Sequence, residues 1–213
     1  MKLTRDQIHF IDTYLKNSEI EFIDVRMEMV DHVASEVEAK MTSENLDFYN
    51  AFKNYMVINK KVHLQDNKKF IKTTDLKVLK ALGKLLLKPS SFVLLISFFA
   101  LFKLIYNYFD VTIILKVAPI TILLSLGVFY FISVRARKKE RYSGLERIGL
   151  ILVCITQLVQ VLFNPSLQKN PLGSNLNLNI ILVSFFLVLA ICFVQLVLKY
   201  RKEYATLYKK ALV

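Results

Sequence analysis

The sequence predicts an all-α membrane protein: a four-helix transmembrane bundle preceded by a cytoplasmic three-helix domain and an interfacial amphipathic helix. Three observations lead there. Four long apolar stretches, 92–108, 111–134, 145–163 and 178–198, succeed one another in the second part of the chain. Before them, apolar residues recur at helical spacing and never in a run of that length. Lys and Arg concentrate at alternate connections only. A helix needs about 20 mainly apolar residues to cross a hydrocarbon core roughly 30 Å thick, and each stretch is of that order.

Residues 1–60 read as the cytoplasmic domain. Thr4 with Gln7 three positions later forms a capping-box pattern, and Ile8, Ile11 and Leu15 follow on one helical face. Asn17-Ser-Glu19 punctuates the chain. A second helix is expected from about Ile20 to Met41, with Ile23, Met27, Val30, Val33 and Val37 as its apolar stripe. Its polar face carries Asp24, Glu28, Asp31, Glu36 and Glu38. A third begins near Asn45 and presents Leu46, Phe48, Tyr49, Phe52, Tyr55 and Met56. Three short helices bury a modest core, so a partner or the membrane would add to its stability.

Residues 61–90 form a basic junction. Lys77, Lys80, Lys84 and Lys88 recur every three or four residues, with Leu76, Leu79, Leu82 and Leu86 expected on the opposite side. That pattern suits a helix lying in the headgroup plane and attracted to anionic lipid. Pro89 should stop or kink it. Residues 91–200 then hold the four spans, and 201–213 a cytoplasmic tail.

Few polar groups interrupt the spans. Lys103 and Lys116 both lie near the tight connection that contains Asn107 and Asp110. The two lysines are expected to snorkel outward, or to form a small outward-facing polar pocket with Asn107 and Asp110. Gln157 and Gln160, three residues apart, share one face of the third span, and Ser184 and Gln195 lie in the fourth; such groups bond between helices. Pro119 is expected to kink the second span. Between their ends the spans contain no Asp or Glu, which disfavours proton-relay and ion-coupled transport.

Charge sets the orientation. Residues 1–50 carry a net of −6, residues 51–90 a net of +8 and residues 91–213 a net of +10. The connection 135–147 alone holds six basic and two acidic residues, whereas 164–177 holds one lysine. Basic short loops stay inside, so both termini are placed in the cytoplasm of a bacterial inner membrane. The same rule, with lipid attraction, accounts for most of the total of +12, and nucleic acid is not the expected partner. Cys154 and Cys192 fall within spans, and no Cys/His spacing suggests a metal or other cofactor. The N-terminus lacks the apolar run of a signal peptide, so the first span is expected to direct insertion.

The stretch Glu21-Phe-Ile-Asp-Val-Arg-Met-Glu-Met-Val-Asp-His-Val-Ala-Ser-Glu36, with Asn45-Leu-Asp-Phe-Tyr-Asn-Ala-Phe-Lys-Asn-Tyr-Met56, resembles the permease-prefix and HAAS-type helical domains of bacterial multi-span proteins. It departs from them in lacking a glycine between the second and third helices. The whole chain also resembles four-span membrane proteins of flavobacteria and their relatives. The resemblance implies a cytosolic adaptor or sensory module on a membrane part, and no enzyme.

Function is read accordingly. Asp24, Glu28, Asp31 and His32 are the expected partner-binding residues, for a cytoplasmic protein of opposite charge. Asp31-His32 lacks the further convergent groups a catalytic base or metal site requires. Arg26 and His32 have a spacing used by HEPN ribonucleases, although about 600° of helical turn separates them by about 120°. The expected protein is a non-enzymatic regulatory or adaptor protein, capable of homo-oligomerisation. A pore-forming, phage-defence or CRISPR-associated membrane effector is the alternative, and a HEPN-like ribonuclease ranks behind it.

Overall fold

The computed structural model describes residues 2–110, 112–135, 141–162 and 175–211. All regular structure among them is helical: α1 (Arg5–Asn17), α2 (Ile23–Glu44), α3 (Phe48–Leu86), α4 (Pro89–Tyr106), α5 (Thr112–Tyr130), α6 (Ser143–Leu162) and α7 (Leu176–Ala211), with a π-helical turn at Phe131–Arg135. The chain divides into two compact units. One comprises residues 1–76, 139–144 and 204–213, and the other 77–138 and 145–203.

In the first unit, α1 starts as its sequence dictates. Thr4 accepts from the Gln7 N–H, and the Gln7 side chain returns to the Thr4 N–H, which satisfies two amides at the helix start. The helix ends where Ser18 N–H donates to Tyr14 and Leu15 carbonyls, and Glu19 takes a left-handed φ of 68°. Helix α2 therefore begins at Ile23, three residues later than expected. Its buried side chains are Ile23, Val25, Arg26, Met29, Val33, Val37 and Met41, a face rotated from the expected stripe, so that Met27 lies at its edge. Asn45 closes α2 in the left-handed region (φ 49°, ψ 43°). Asparagine tolerates that conformation better than other non-glycine residues.

The core of this unit joins Ile11, Leu15 and Ile20 to Val25, Met29, Val33 and Val37, and to Ala51, Phe52 and Met56 of α3. Phe10 and Tyr14 meet Phe52 edge-on, with ring centroids 5.4 and 5.1 Å apart, the arrangement favoured by aromatic quadrupoles.

The third helix and the lysine-rich junction, read as separate segments, are one 39-residue helix. Neither Pro nor Gly occurs in it before Gly83. Helix α3 ends at Leu86, and Pro89 opens α4 at a position where its missing N–H costs nothing. Ser91 Oγ donates to the Leu85 carbonyl (2.7 Å), fixing the turn.

Among the described residues, three helical stretches are long and apolar enough to cross a membrane: Pro89–Tyr106, Val117–Val134 and Leu176–Thr206. Helix α6 is not among them, and the last residue of its expected span, Phe163, lies outside the described residues. Helix α7 is the most enclosed, burying Ile180, Val183, Phe186, Cys192, Phe193, Leu196 and Val197. Its 36 residues rise about 54 Å, so it extends well beyond a bilayer core. Leu115, Ile180 and Val183 form a core cluster backed by Phe99, Phe102 and Ile105. Helices α5 and α6 approach closely at Gly149, where an added Cβ would lie 2.4 Å from Tyr130 Oη. Tyr130 Oη donates to the Leu145 carbonyl (3.1 Å) across the same contact.

Candidate functional site

The first unit contains a polar clasp centred on Asp24. Ser143 N–H donates to Asp24 Oδ1 at 3.0 Å, Ser143 Oγ donates to Oδ2, and Tyr204 Oη donates to Oδ2 at 3.1 Å. Gly144 N–H donates to Tyr204 Oη, also at 3.1 Å. Ser143 and Gly144 begin α6, and their amides are among the first four that no helix can satisfy internally. Asp24 therefore caps a helix that starts 119 residues away, and places its charge at the positive end of that helix. Tyr142 stacks on Tyr204 with centroids 4.5 Å apart. The neighbouring Arg141 pairs with Glu21, lies over the Phe22 ring and accepts from Ile23 N–H through its carbonyl.

Of the four residues read as partner-binding, Asp24 stands apart. It is half-buried and bonded within the chain, not part of an open acidic face. Glu28, Asp31 and His32 are exposed along α2. Arg26 is turned the other way. Only 4% exposed, its guanidinium bonds Asp12 (2.6 Å) and the carbonyls of Ile20 and Glu21. A guanidinium so engaged is spent on holding the α1–α2 connection, and Arg26 and His32 do not converge on one surface.

Behind α2 lies a second polar pair. Tyr55 Oη and His63 Nε2 are 3.1 Å apart, and both residues are buried. Burial holds the His63 imidazole below its ordinary value, and the charge of nearby His32 lowers it further while Asp66 opposes the shift. Burial pushes the Tyr55 phenol up, reinforced by Glu36. No group of three metal-ligating side chains is found among the described residues.

Along the end of α3, the lysines Lys77, Lys80 and Lys84 are exposed, as is Lys88 just beyond it. The buried side chains here are Thr74, Val78 and Leu82, four residues apart, while Leu76 and Leu79 are 53% and 55% exposed. At 100° per residue, Leu79 and Leu76 occupy one outward arc and Lys80, Lys84 and Lys77 the adjoining one, each about 60° wide. The exposed face is thus itself divided into apolar and basic halves, and the leucine stripe is not a single surface as the sequence suggested.

In the membrane-type helices, Lys103 Nζ donates to Asn177 Oδ1 on α7 at 2.6 Å, a bond over 74 residues that no local pattern announces. Asn107 ends α4, and Asp110 is exposed in the connection that follows. Gln157 is exposed on α6. The side chains of Lys116 and Gln160 lie outside the described residues. Ser184 is fully buried and bonds the Ile180 carbonyl of its own helix.

Compared with known proteins, the chain matches no protein-family model, no curated protein and no solved structure.

Proposed function

We propose that the protein is a non-enzymatic regulatory or adaptor protein of the bacterial inner membrane, crossing it four times with α6 as the third span and both ends in the cytoplasm. Its acidic N-terminal domain receives a basic cytoplasmic protein through Glu28 and Asp31, and Lys77, Lys80, Lys84 and Lys88 attract anionic lipid. The likeness of residues 21–56 to HAAS-type prefix domains supports the same reading.

One observation carries it. Asp24 ties the start of α2 to the first residues of α6 and the last turns of α7. An event on the exposed side of α2 therefore has a direct physical route to two helices that continue into the apolar part of the chain. Exposed acidic groups steer a basic partner over several ångströms, and this requires no catalytic constellation.

Capture tests this. A photo-crosslinking residue at Ser35, exposed on α2, should trap a basic partner in intact cells. Charge reversal by Glu28→Lys with Asp31→Lys should lower the yield several-fold, and added salt should do the same to the isolated complex. His32→Ala should leave it unchanged. Undiminished capture in the double variant, or loss of all biological activity in His32→Ala with insertion intact, would defeat the proposal.

A second reading is a membrane effector assembled from several copies. It draws on α4, where Phe92, Val93, Ile96, Leu101 and Leu104 are each at least half exposed. Dye release from vesicles by the purified full chain would favour it over the adaptor.

A further inference from the structure

Because α3 is one helix, residues read as belonging to two segments share a single register. At 100° per residue, an arc about 120° wide runs along it from Asn54 to Lys80, a length of about 39 Å. Every residue in that arc is exposed, and none is Asp or Glu. Its charged residues are Lys61, Lys68, Lys69, Lys72 and Lys80. Lys69 also pairs with Asp66, outside the arc, yet its side chain stays 75% exposed. Ile58 and Val62, 70% and 49% exposed, stand at one end of the arc, and Leu76 and Leu79 at the other. The strip is thus basic in the middle and aliphatic at both ends. In the same unit, α2 exposes Glu28, Asp31 and Glu36, so the charge of the N-terminal domain is segregated.

Charge and chain length choose what covers the strip. A second copy using the same face would set lysine against lysine, with no carboxylate in either strip to relieve the repulsion. An anionic bilayer offers what the strip lacks. Its headgroups accept from lysine ammonium groups, and the aliphatic side chains beside them reach the upper acyl carbons. Such a surface is also within reach. From Leu76 to Pro89, where the first membrane-type helix opens, the chain rises only about 20 Å at helical pitch. Tethering at that range gives the bilayer a high effective concentration over any partner that must diffuse in.

We propose that this strip docks the N-terminal domain on the anionic cytoplasmic face of the bilayer, extending the lipid contact of the lysines near Pro89 back to Ile58. The proposal rests on the reading that α4 and the later apolar helices cross that bilayer. The same negative surface repels Glu28 and Asp31, which keeps the acidic side of α2 available to a cytoplasmic partner.

The test uses the full chain with Cys154→Ala and Cys192→Ala, in bilayer discs containing spin-labelled lipid as quencher, with a fluorophore on one introduced thiol. Gln65→Cys lies in the middle of the strip, Ser35→Cys on the exposed side of α2 and Ile96→Cys on α4. In discs of phosphatidylglycerol with phosphatidylcholine, quenching at Gln65→Cys should exceed that at Ser35→Cys several-fold. It should fall several-fold in pure phosphatidylcholine and on adding salt. Lys61→Glu with Lys68→Glu and Lys72→Glu should lower it several-fold, whereas Arg at the same three positions should preserve it. Ile58→Ser with Val62→Ser should weaken it by the apolar route. Quenching at Ile96→Cys should be alike in every disc and variant.

Equally weak quenching at Gln65→Cys and Ser35→Cys, with Ile96→Cys quenched, would overturn the docking alone, as would equal quenching at Gln65→Cys in the two lipid mixtures. Absence of quenching at Ile96→Cys would overturn the membrane reading with it. A photo-crosslinking residue at Gln65 should take up lipid in intact cells. An adduct to an acidic protein, or to a second copy, in place of lipid would overturn the proposal in favour of that partner.

Discussion

Removal of the Asp24 carboxylate should loosen the first turn of α6 by a calculable amount. In Asp24→Ala, Ser143 N–H, Ser143 Oγ and Tyr204 Oη lose their common acceptor. Loss of a helix cap costs about 1 kcal/mol. Each buried group left without a partner adds about 1–3 kcal/mol, and Asp24 is only half-buried, so water recovers part of this. The net cost should be about 2–4 kcal/mol. Hydrogen exchange of the full chain, followed by mass spectrometry on peptides covering 141–146, reads local opening directly. That cost corresponds to exchange about 30- to 900-fold faster. Tyr204→Phe should cost about 1–2 kcal/mol, since it strips Gly144 N–H of its acceptor. The double variant should fall short of additivity by about 1 kcal/mol, because both changes break one network. A change below about threefold for Asp24→Ala, or strict additivity, would refute the clasp.

Two other perturbations have defined outcomes. Gly149→Leu drives a side chain into Tyr130 and should lower the thermal stability of the detergent-solubilised protein by about 1–3 kcal/mol, with Tyr130→Ala in the same chain restoring part of it. His63 is held neutral by burial, so the folded state binds fewer protons than the unfolded chain. Its contribution should be present above the unfolded value of about 6.5 and decline as the pH falls below it. Thermal melts of the wild-type chain should therefore drop as the pH falls below about 6.5, and His63→Gln, which keeps a partner for Tyr55 without titrating, should flatten that drop. An unchanged slope would assign the acid sensitivity elsewhere.

The local features of the fold were readable in the sequence. Thr4 and Gln7 announced their capping box, Pro89 its helix boundary, and three of the four apolar runs helices long enough to cross a membrane. Where reading failed, the cause was specific. The third helix and the basic junction were read as separate segments, yet the absence of Pro and Gly from Phe48 to Leu82 already allowed one helix. The face of α2 was mis-set because Arg26 is buried, its charge met by Asp12 and two carbonyls, which displaces Met27 from the stripe. Asp24 looked like any carboxylate on a polar face. Its partners lie 119 and 180 residues further along the chain, and a single sequence carries no signal for contacts of that range. The Lys103–Asn177 bond escaped for the same reason.

The membrane arrangement is tested most directly by thiol accessibility in cells, in a chain with Cys154→Ala and Cys192→Ala. Tyr108→Cys sits in the exposed connection after α4, and Asn54→Cys on the exposed face of α3 within the N-terminal domain. A membrane-impermeant maleimide should label Tyr108→Cys in intact cells and Asn54→Cys only after permeabilisation. Labelling of Asn54→Cys in intact cells, or protection of Tyr108→Cys until permeabilisation, would contradict a cytoplasmic N-terminal domain followed by an outward-facing first hairpin.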